Sequence, residues 1–281
     1  MSDMRGKVIV ITGATSGIGW VAAERLARMG GRIVFVARDR ARGESTLARL
    51  HESGPAAAHS VHYGDLLMIG EMKRVAAEIA AAEPRIDVLI NNAGALFSSR
   101  QLTADGLEKT FALNHMSYFV VTLGLAERLR ATPGARVVNT SSDAHRGKQL
   151  DFDDLQSAKD YRGFPVYGRS KLCNVLFTRE LAKRWNGSGV TANALHPGFV
   201  ATRFGDQSGG MFQRMIGFAK LFAISPEKGA ETIVYLASSD EVAKQSGAYF
   251  YQCRAVHPTR AAQNEESARR LWEESARLAG M

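Results

Sequence analysis

The run Val8-Ile-Val-Ile-Thr-Gly-Ala-Thr-Ser-Gly-Ile-Gly19 leaves the chain few folds to choose from. Five apolar or β-branched residues read as a buried strand, three glycines read as a tight turn, and a helical period follows. Gly13 permits the sharp turn, while Gly17 and Gly19 let backbone and helix N-terminus come close to a ligand. Free N–H groups and the helix dipole favour negative charge at such a terminus, so the turn suits a pyrophosphate. A glycine pattern alone is weak, but here the strand precedes it and the helix follows it, as that reading requires.

The same alternation runs along the chain. Strands are predicted at Lys7–Thr12, Arg32–Ala37, Ala58–Tyr63, Asp87–Asn91, Arg136–Thr140, Thr191–His196 and Gly247–Tyr251. Helices are predicted at Trp20–Met29, Ala41–Glu52, Met68–Glu83, Asp105–Arg130, Val166–Trp185 and Pro226–Ala237. Apolar strands alternating with helices indicate an α/β, doubly wound fold: a central parallel sheet of about seven strands with helices on both faces. With no repeat or Pro/Ser-rich linker, one domain spanning residues 1–281 is the economical expectation. Asp143–Pro165 is long for a connection between strand and helix, and loops of that length are usually functional or poorly ordered.

The second strand ends Val36-Ala37-Arg38. At this point of a dinucleotide site a carboxylate accepts hydrogen bonds from the ribose 2′-hydroxyl, whereas an arginine binds a 2′-phosphate. Uncharged Ala37 followed by Arg38 selects NADP(H). The net charge of +8 and pI of about 9.7 raise the question of nucleic acid. Apart from Arg38, Arg40 and Arg42 the arginines are scattered, so solvated helix faces are the reading and no nucleic-acid partner is expected.

Tyr167-Gly-Arg-Ser-Lys171 opens a predicted helix, where residues four apart share a face. A phenol is a poor acid or base at neutral pH, and a neighbouring ammonium favours its ionised form. Ser141-Ser142 ends one strand and Asn91-Asn92-Ala93-Gly94 ends another, at the carboxyl edge where doubly wound sheets place ligands. Asn114 lies in the helix that follows.

With these residues in view the chain resembles the short-chain dehydrogenase/reductase superfamily over nearly its whole length, and within it the retinol dehydrogenase-like branch. The resemblance rests on Thr12–Gly19, Asp65-Leu66, Asn91–Gly94, Asn114, Ser141-Ser142, Tyr167–Lys171 and His196-Pro197-Gly198. The long stretch from Ser142 to Tyr167 and the tail Ala268-Arg-Arg-Leu-Trp272 favour that branch. It implies a Rossmann fold and hydride transfer between NADP(H) and an alcohol or carbonyl. Tyr167 would exchange the proton with the substrate oxygen, and Lys171 would lower the tyrosine pKa and hold the nicotinamide ribose. Ser142 would hydrogen-bond the substrate oxygen, with the role of Ser141 open, and Asn114 would anchor a water. The cofactor would be held by Gly13, Thr15, Ser16, Gly17, Ile18 and Gly19, with Arg38 at the 2′-phosphate and Asp65 and Leu66 at the adenine. Asn91, Ala93 and Gly94 would lie on the adenosine side, and Pro197, Gly198, Val200 and Thr202 at the carboxamide.

Substrates of the resembled branch are often hydrophobic carbonyls and alcohols. The segment 203–225, with Met211–Phe222 at helical spacing, reads as a lid, a core helix or a membrane-surface helix. Helices in the resembled family pair across a dimer axis, so a homo-oligomer is expected, with Phe119, Leu123, Ala126, Leu176 and Leu181 on the pairing faces or in the core. A C-terminal helix at about 262–279 would be anchored by Trp272. His115 and His145 read as local hydrogen-bonding residues, His196 as support for its loop and Cys173 as a packed thiol. No signal-peptide pattern or membrane-spanning run is seen, and Cys173 and Cys253 show no metal spacing, so a cytoplasmic protein is expected. The competing class is a non-catalytic NADP(H)-binding redox sensor, which need not keep Ser142, Tyr167, Lys171 and Asn114 together.

Overall fold

A single eight-stranded sheet runs in the order β3-β2-β1-β4-β5-β6-β7-β8 through the computed structural model, which describes residues 3–198 and 224–281. The strands are β1 Val8–Thr12, β2 Arg32–Ala37, β3 Ser60–Tyr63, β4 Val88–Asn91, β5 Arg136–Thr140, β6 Thr191–Leu195, β7 Tyr249–Tyr251 and β8 Arg254–Val256. All pairings are parallel except β7 with β8. The helices are α1 Gly17–Arg28, α2 Arg40–Ser53, α3 Ile69–Ala82, α4 Lys109–Phe111, α5 Ser117–Gly124, α6 Ala126–Ala131, α7 Gly163–Arg184, α8 Pro226–Ser238 and α9 Glu265–Ala279. Strand order reverses between β1 and β4, and there the carboxyl ends of the strands open a crevice.

Because strand side chains alternate in direction, each central strand feeds two cores. Val10, Val34, Leu89 and Val137 join the core shared with α3, α5, α7 and α9. Ile9, Ile11, Ile33, Phe35, Ile90 and Val138 join the core shared with α1, α2 and α8.

The structure adds to the expected sheet and divides one expected helix. The eighth strand returns through a two-residue turn in which Gln252 and Cys253 both take positive φ (48° and 60°). That is the hairpin conformation usually marked by Asn or Gly, and neither residue is present to signal it. The predicted helix Asp105–Arg130 is instead α4, a π-helical turn Ala112–Met116, α5 and α6. Its true start is set by Glu108, whose carboxylate caps the chain by accepting from Thr110 N and Phe111 N, both at 2.8 Å.

The helix faces proposed for subunit pairing are largely interior. Phe119, Leu176 and Leu181 are fully buried within one chain. Trp272 of α9 lies 5.1 Å from the Phe119 ring and 5.9 Å from the Phe177 ring, with the Arg184 guanidinium 4.6 Å from its own. Leu123 and Ala126 are only half-buried. Trp272→Ala is expected to cost about 2–3 kcal/mol, less than a fully buried aromatic because the ring is half-buried. A denaturant midpoint unchanged by the substitution would show that α9 is not anchored there.

Among the described residues no helix is long and apolar enough to cross a membrane. The segment 203–225, apart from Ile224 and Ser225, lies outside the described residues, and so do Val200 and Thr202.

Candidate active site

Strand β1 delivers Thr12 to the crevice, and the chain turns through Gly13 at φ 72° and Gly17 at φ 57° into α1. Side chains hold this turn from behind. Thr12 Oγ1 accepts from Asn92 N at 3.0 Å and Ala93 N at 3.1 Å. Asn92 Nδ2 donates to Gly13 O at 3.2 Å, and Asn92 Oδ1 accepts from Thr140 Oγ1 at 3.3 Å. Asn92 thus ties the ends of β1, β4 and β5 together. A Cβ on Gly19 would collide with the Gly13 carbonyl and with Asn92 Nδ2. That glycine is required by the turn packing on itself, whereas the sequence alone suggested only approach to a ligand.

The outer side of the turn is prepared for an anion. Ser16 begins α1 with no hydrogen bond from its side chain to the helix, and the first turn carries no acidic residue. The first-turn amides therefore keep their donors, with Thr15, Ser16 and Ile18 all reached by solvent. Arg38 is exposed at the end of β2 and forms no ion pair with a described residue. Asp39 is occupied as the cap of α2, accepting from Arg42 N at 2.8 Å. Asp65 Oδ1 accepts from Leu67 N at 3.1 Å, and the Leu66 side chain is buried.

Asn91 is placed differently from Asn92, because consecutive strand residues face opposite ways. Its side chain is fully buried and its Nδ2 donates to Thr122 Oγ1 at 2.9 Å and Asn139 Oδ1 at 2.8 Å. Any part it takes in holding a ligand falls to its backbone. Ala93 and Gly94 continue the strand end toward the crevice. A Cβ on Gly94 would stand 3.1 Å from Asn114 Oδ1 and 3.4 Å from Lys171 Nζ, so these three residues meet at one point.

Asn114 sits on the π-helical turn, a local widening of the helix that often marks functional positions. Its amide spans the space between two elements. Oδ1 accepts from Ala95 N at 2.8 Å, while Nδ2 donates to Ala95 O and to Ser170 Oγ, each at 2.9 Å. Ser170 in turn donates to Tyr167 O at 2.7 Å.

Helix α7 carries Tyr167 and Lys171 one turn apart, both buried. The Lys171 ammonium donates to Thr140 O at 3.0 Å and lies 5.6 Å from the ring centroids of both Tyr118 and Tyr167. Burial pushes its pKa down to about 7. The Tyr167 phenol is pushed well above its ordinary value by burial, against which a hydrogen bond with Ser142 acts in the opposite sense. Desolvation is the larger of these influences on the phenol, and Lys171 Nζ is engaged at the Thr140 carbonyl.

The two serines are distinguished by their partners. Ser141 is buried and donates to Lys171 O at 2.7 Å, which commits it to fixing α7 against β5. Ser142 Oγ accepts from Ala144 N at 3.2 Å and shares a hydrogen bond with the Tyr167 phenol. Pro197 and Gly198 follow β6 at the same edge, with Gly198 at φ 88°. His115 is enclosed by Phe111, Phe119 and Phe177, and its Nε2 lies 2.7 Å from Ser275 Oγ. It is a core residue.

Asn92, Ser170, Thr140 and Asn174 were not singled out from sequence. Asn174 donates to Thr140 O at 3.2 Å, and its place three residues after Lys171 on one helix face was a usable signal. The edge of the sheet thus offers an anion-binding helix terminus beside a buried phenol, a hydroxyl donor and an ammonium. Such a set can hold a dinucleotide and move a proton to or from an oxygen.

Known proteins resemble this chain over nearly its whole length. Residues 7–210 match the family model for short chain dehydrogenase. Human retinol dehydrogenase 13 is 40% identical over 284 aligned positions, covering 98% of this chain and 85% of its own. The crystal structure of an uncharacterized protein from Mycobacterium paratuberculosis superposes with a TM-score of 0.80 at 29% identity, covering 100% of this chain and 96% of that one. A structure described as an NAD(P)-dependent gluconate 5-dehydrogenase from Beutenbergia cavernae, with bound NADP, gives 0.72 at 27% identity, covering 89% and 96%. The chain belongs to the short-chain dehydrogenase family, as an oxidoreductase of its retinol dehydrogenase-like branch.

Proposed function

We propose that this protein transfers a hydride between NADP(H) and an alcohol or carbonyl of a hydrophobic substrate, with Tyr167 as the acid–base group. The observation that carries the reading is the convergence of buried Tyr167 and Lys171 with Ser142, Gly94 and Asn114 at one edge of the sheet. The residues present fit the dinucleotide. The first turn of α1 offers donors with no competing acid, and the buried Lys171 ammonium has no carboxylate partner among the described residues. Gly13, Thr15, Ser16, Gly17, Ile18 and Gly19 would hold the pyrophosphate, and Pro197, Gly198, Val200 and Thr202 the carboxamide end. When bound, the nicotinamide supplies the hydride.

The chain's own residues supply the rest. Tyr167 carries its phenolic proton at neutral pH, as an ordinary phenol does, and so can give it to an oxygen gaining negative charge. Ser142 donates its hydroxyl proton to that oxygen and fixes its position. Lys171 provides a hydrogen-bond donor near Tyr167, and below about pH 7 a positive charge, and Asn114 and Ser170 hold the turn of α7 that carries the tyrosine.

The NADP(H) preference is supported by Arg38, exposed beyond a strand end with no carboxylate at Ala37. Arg38→Ala is expected to raise KM for NADPH about 10- to 100-fold and leave KM for NADH nearly unchanged, from loss of a charge-assisted phosphate contact. Equal effects on both cofactors would remove Arg38 from the 2′-phosphate. An apolar substrate is supported by Phe164, 48% exposed with its ring centroid 6.4 Å from that of Tyr167. A cytoplasmic location is supported by Cys173 and Cys253, both of which are free thiols.

A further inference from the structure

The loop that leaves Ser142 is held by a histidine that the proton-transfer machinery does not use. His145 closes a short 3-10 turn, Asp143–His145, directly after the serine. Two donors from this residue converge on one acceptor: His145 N reaches Ser142 O at 3.1 Å and His145 Nδ1 reaches the same oxygen at 2.7 Å. A carbonyl oxygen only accepts, so Nδ1 carries the proton, which fixes the tautomer. The fold of the turn brings Ala144 N to Ser142 Oγ, whose hydroxyl also shares a hydrogen bond with Tyr167.

The ring is fastened on its far side as well. It stands edge-on to Tyr249 of β7 with centroids 5.1 Å apart, and Tyr249 Oη lies 3.4 Å from Nδ1. Tyr249 stacks on His196, which stacks on Tyr251 at 4.1 Å. The serine loop is therefore tied through His145 to the strand edge formed by β6 and β7. His145 is fully buried, and its Nε2 has no partner among the described residues. A bare ring nitrogen in the interior costs stability that an apolar side chain of similar size would avoid. What the imidazole contributes here is the Nδ1 hydrogen bond to the serine carbonyl.

We propose that His145 is a positioning residue, which clamps the Ser142 carbonyl so that the Ser142 hydroxyl is aimed at the substrate oxygen and Tyr167. The proposal rests on the reading of Ser142 given above. Asparagine places its Nδ2 at the same reach from the backbone as histidine Nδ1, and leucine fills the space without a donor. His145→Leu is expected to lower kcat about 10-fold, within the roughly 100-fold that losing the serine donor itself would cause. KM for NADPH and the affinity for NADPH measured by fluorescence titration should stay as in wild type.

His145→Asn should recover most of the lost kcat. In a Ser142→Ala background His145→Leu should cost little more, because the two residues act as one unit. His145→Asp against His145→Asn, alike in shape but differing in the N–H, repeats the comparison should the leucine variant not fold. Additive losses in the double variant, wild-type kcat in His145→Leu, or an asparagine variant as impaired as the leucine one would each overturn the proposal. Absence of wild-type turnover would overturn the functional reading and this one together, whereas normal turnover with additive losses would overturn this one alone.

Discussion

Tyr167→Phe is expected to lower kcat by about three orders of magnitude while NADPH binds as in wild type. The substitution removes one oxygen and keeps the ring, so the packing of α7 against the crevice is preserved. Its structural cost is the hydrogen bond with Ser142, about 1 kcal/mol. Single-turnover kinetics with NADPH affinity measured in parallel separate the two effects. The reading fails if the variant turns over at a wild-type rate, or if it loses activity only because it no longer binds NADPH.

The second large effect joins activity to stability. Lys171→Met is expected to lower kcat about 100-fold or more, since a preorganised hydrogen-bond donor beside Tyr167 is lost. The same variant should be more stable than wild type when melted without cofactor. Burial holds the Lys171 ammonium at a pKa of about 7, against an ordinary 10.5. Between those values the unfolded chain keeps the proton and the folded chain releases it, so wild-type stability rises with pH across that window. Below about pH 7 the folded state bears the full cost of a buried charge that, among the described residues, hydrogen-bonds only Thr140 O. The gain in Tm for Lys171→Met should therefore be largest below pH 7 and shrink toward pH 10.5. A variant destabilised equally at every pH would show that the ammonium is not paying a desolvation cost.

How far the sequence reaches can be judged from particular elements. The turn Gly13–Gly19, the strands that bear Ser142 and Gly94, and the helix of Tyr167 and Lys171 were legible because each couples a change of hydrophobic period to a diagnostic residue. The π-helical turn at Ala112–Met116 was not. One extra residue shifts the phase of an amphipathic helix, but this segment is buried on nearly every side and has no polar face to shift. The start of that helix was misplaced because Glu108, as a cap, lies outside the usual Ser, Thr, Asp or Asn set.

The pair Asn91-Asn92 shows a different limit. Strand alternation requires the two side chains to face opposite ways, but not which one meets the glycine turn. In the structure it is Asn92, while Asn91 joins a buried line through Asn139 and Thr178. Likewise the separate duties of Ser141 and Ser142 follow from where α7 packs, which depends on tertiary contacts rather than on either residue's own pattern.

Oxidation of NADPH by the purified protein, across a panel of aromatic and long-chain aldehydes and ketones that includes retinal, tests the central claim most directly. The account predicts consumption with at least one apolar carbonyl, faster at limiting NADPH than at equal NADH and abolished in Tyr167→Phe. Tight NADPH binding with no turnover of any panel member, in either direction, would contradict it and identify a cofactor-binding regulator instead.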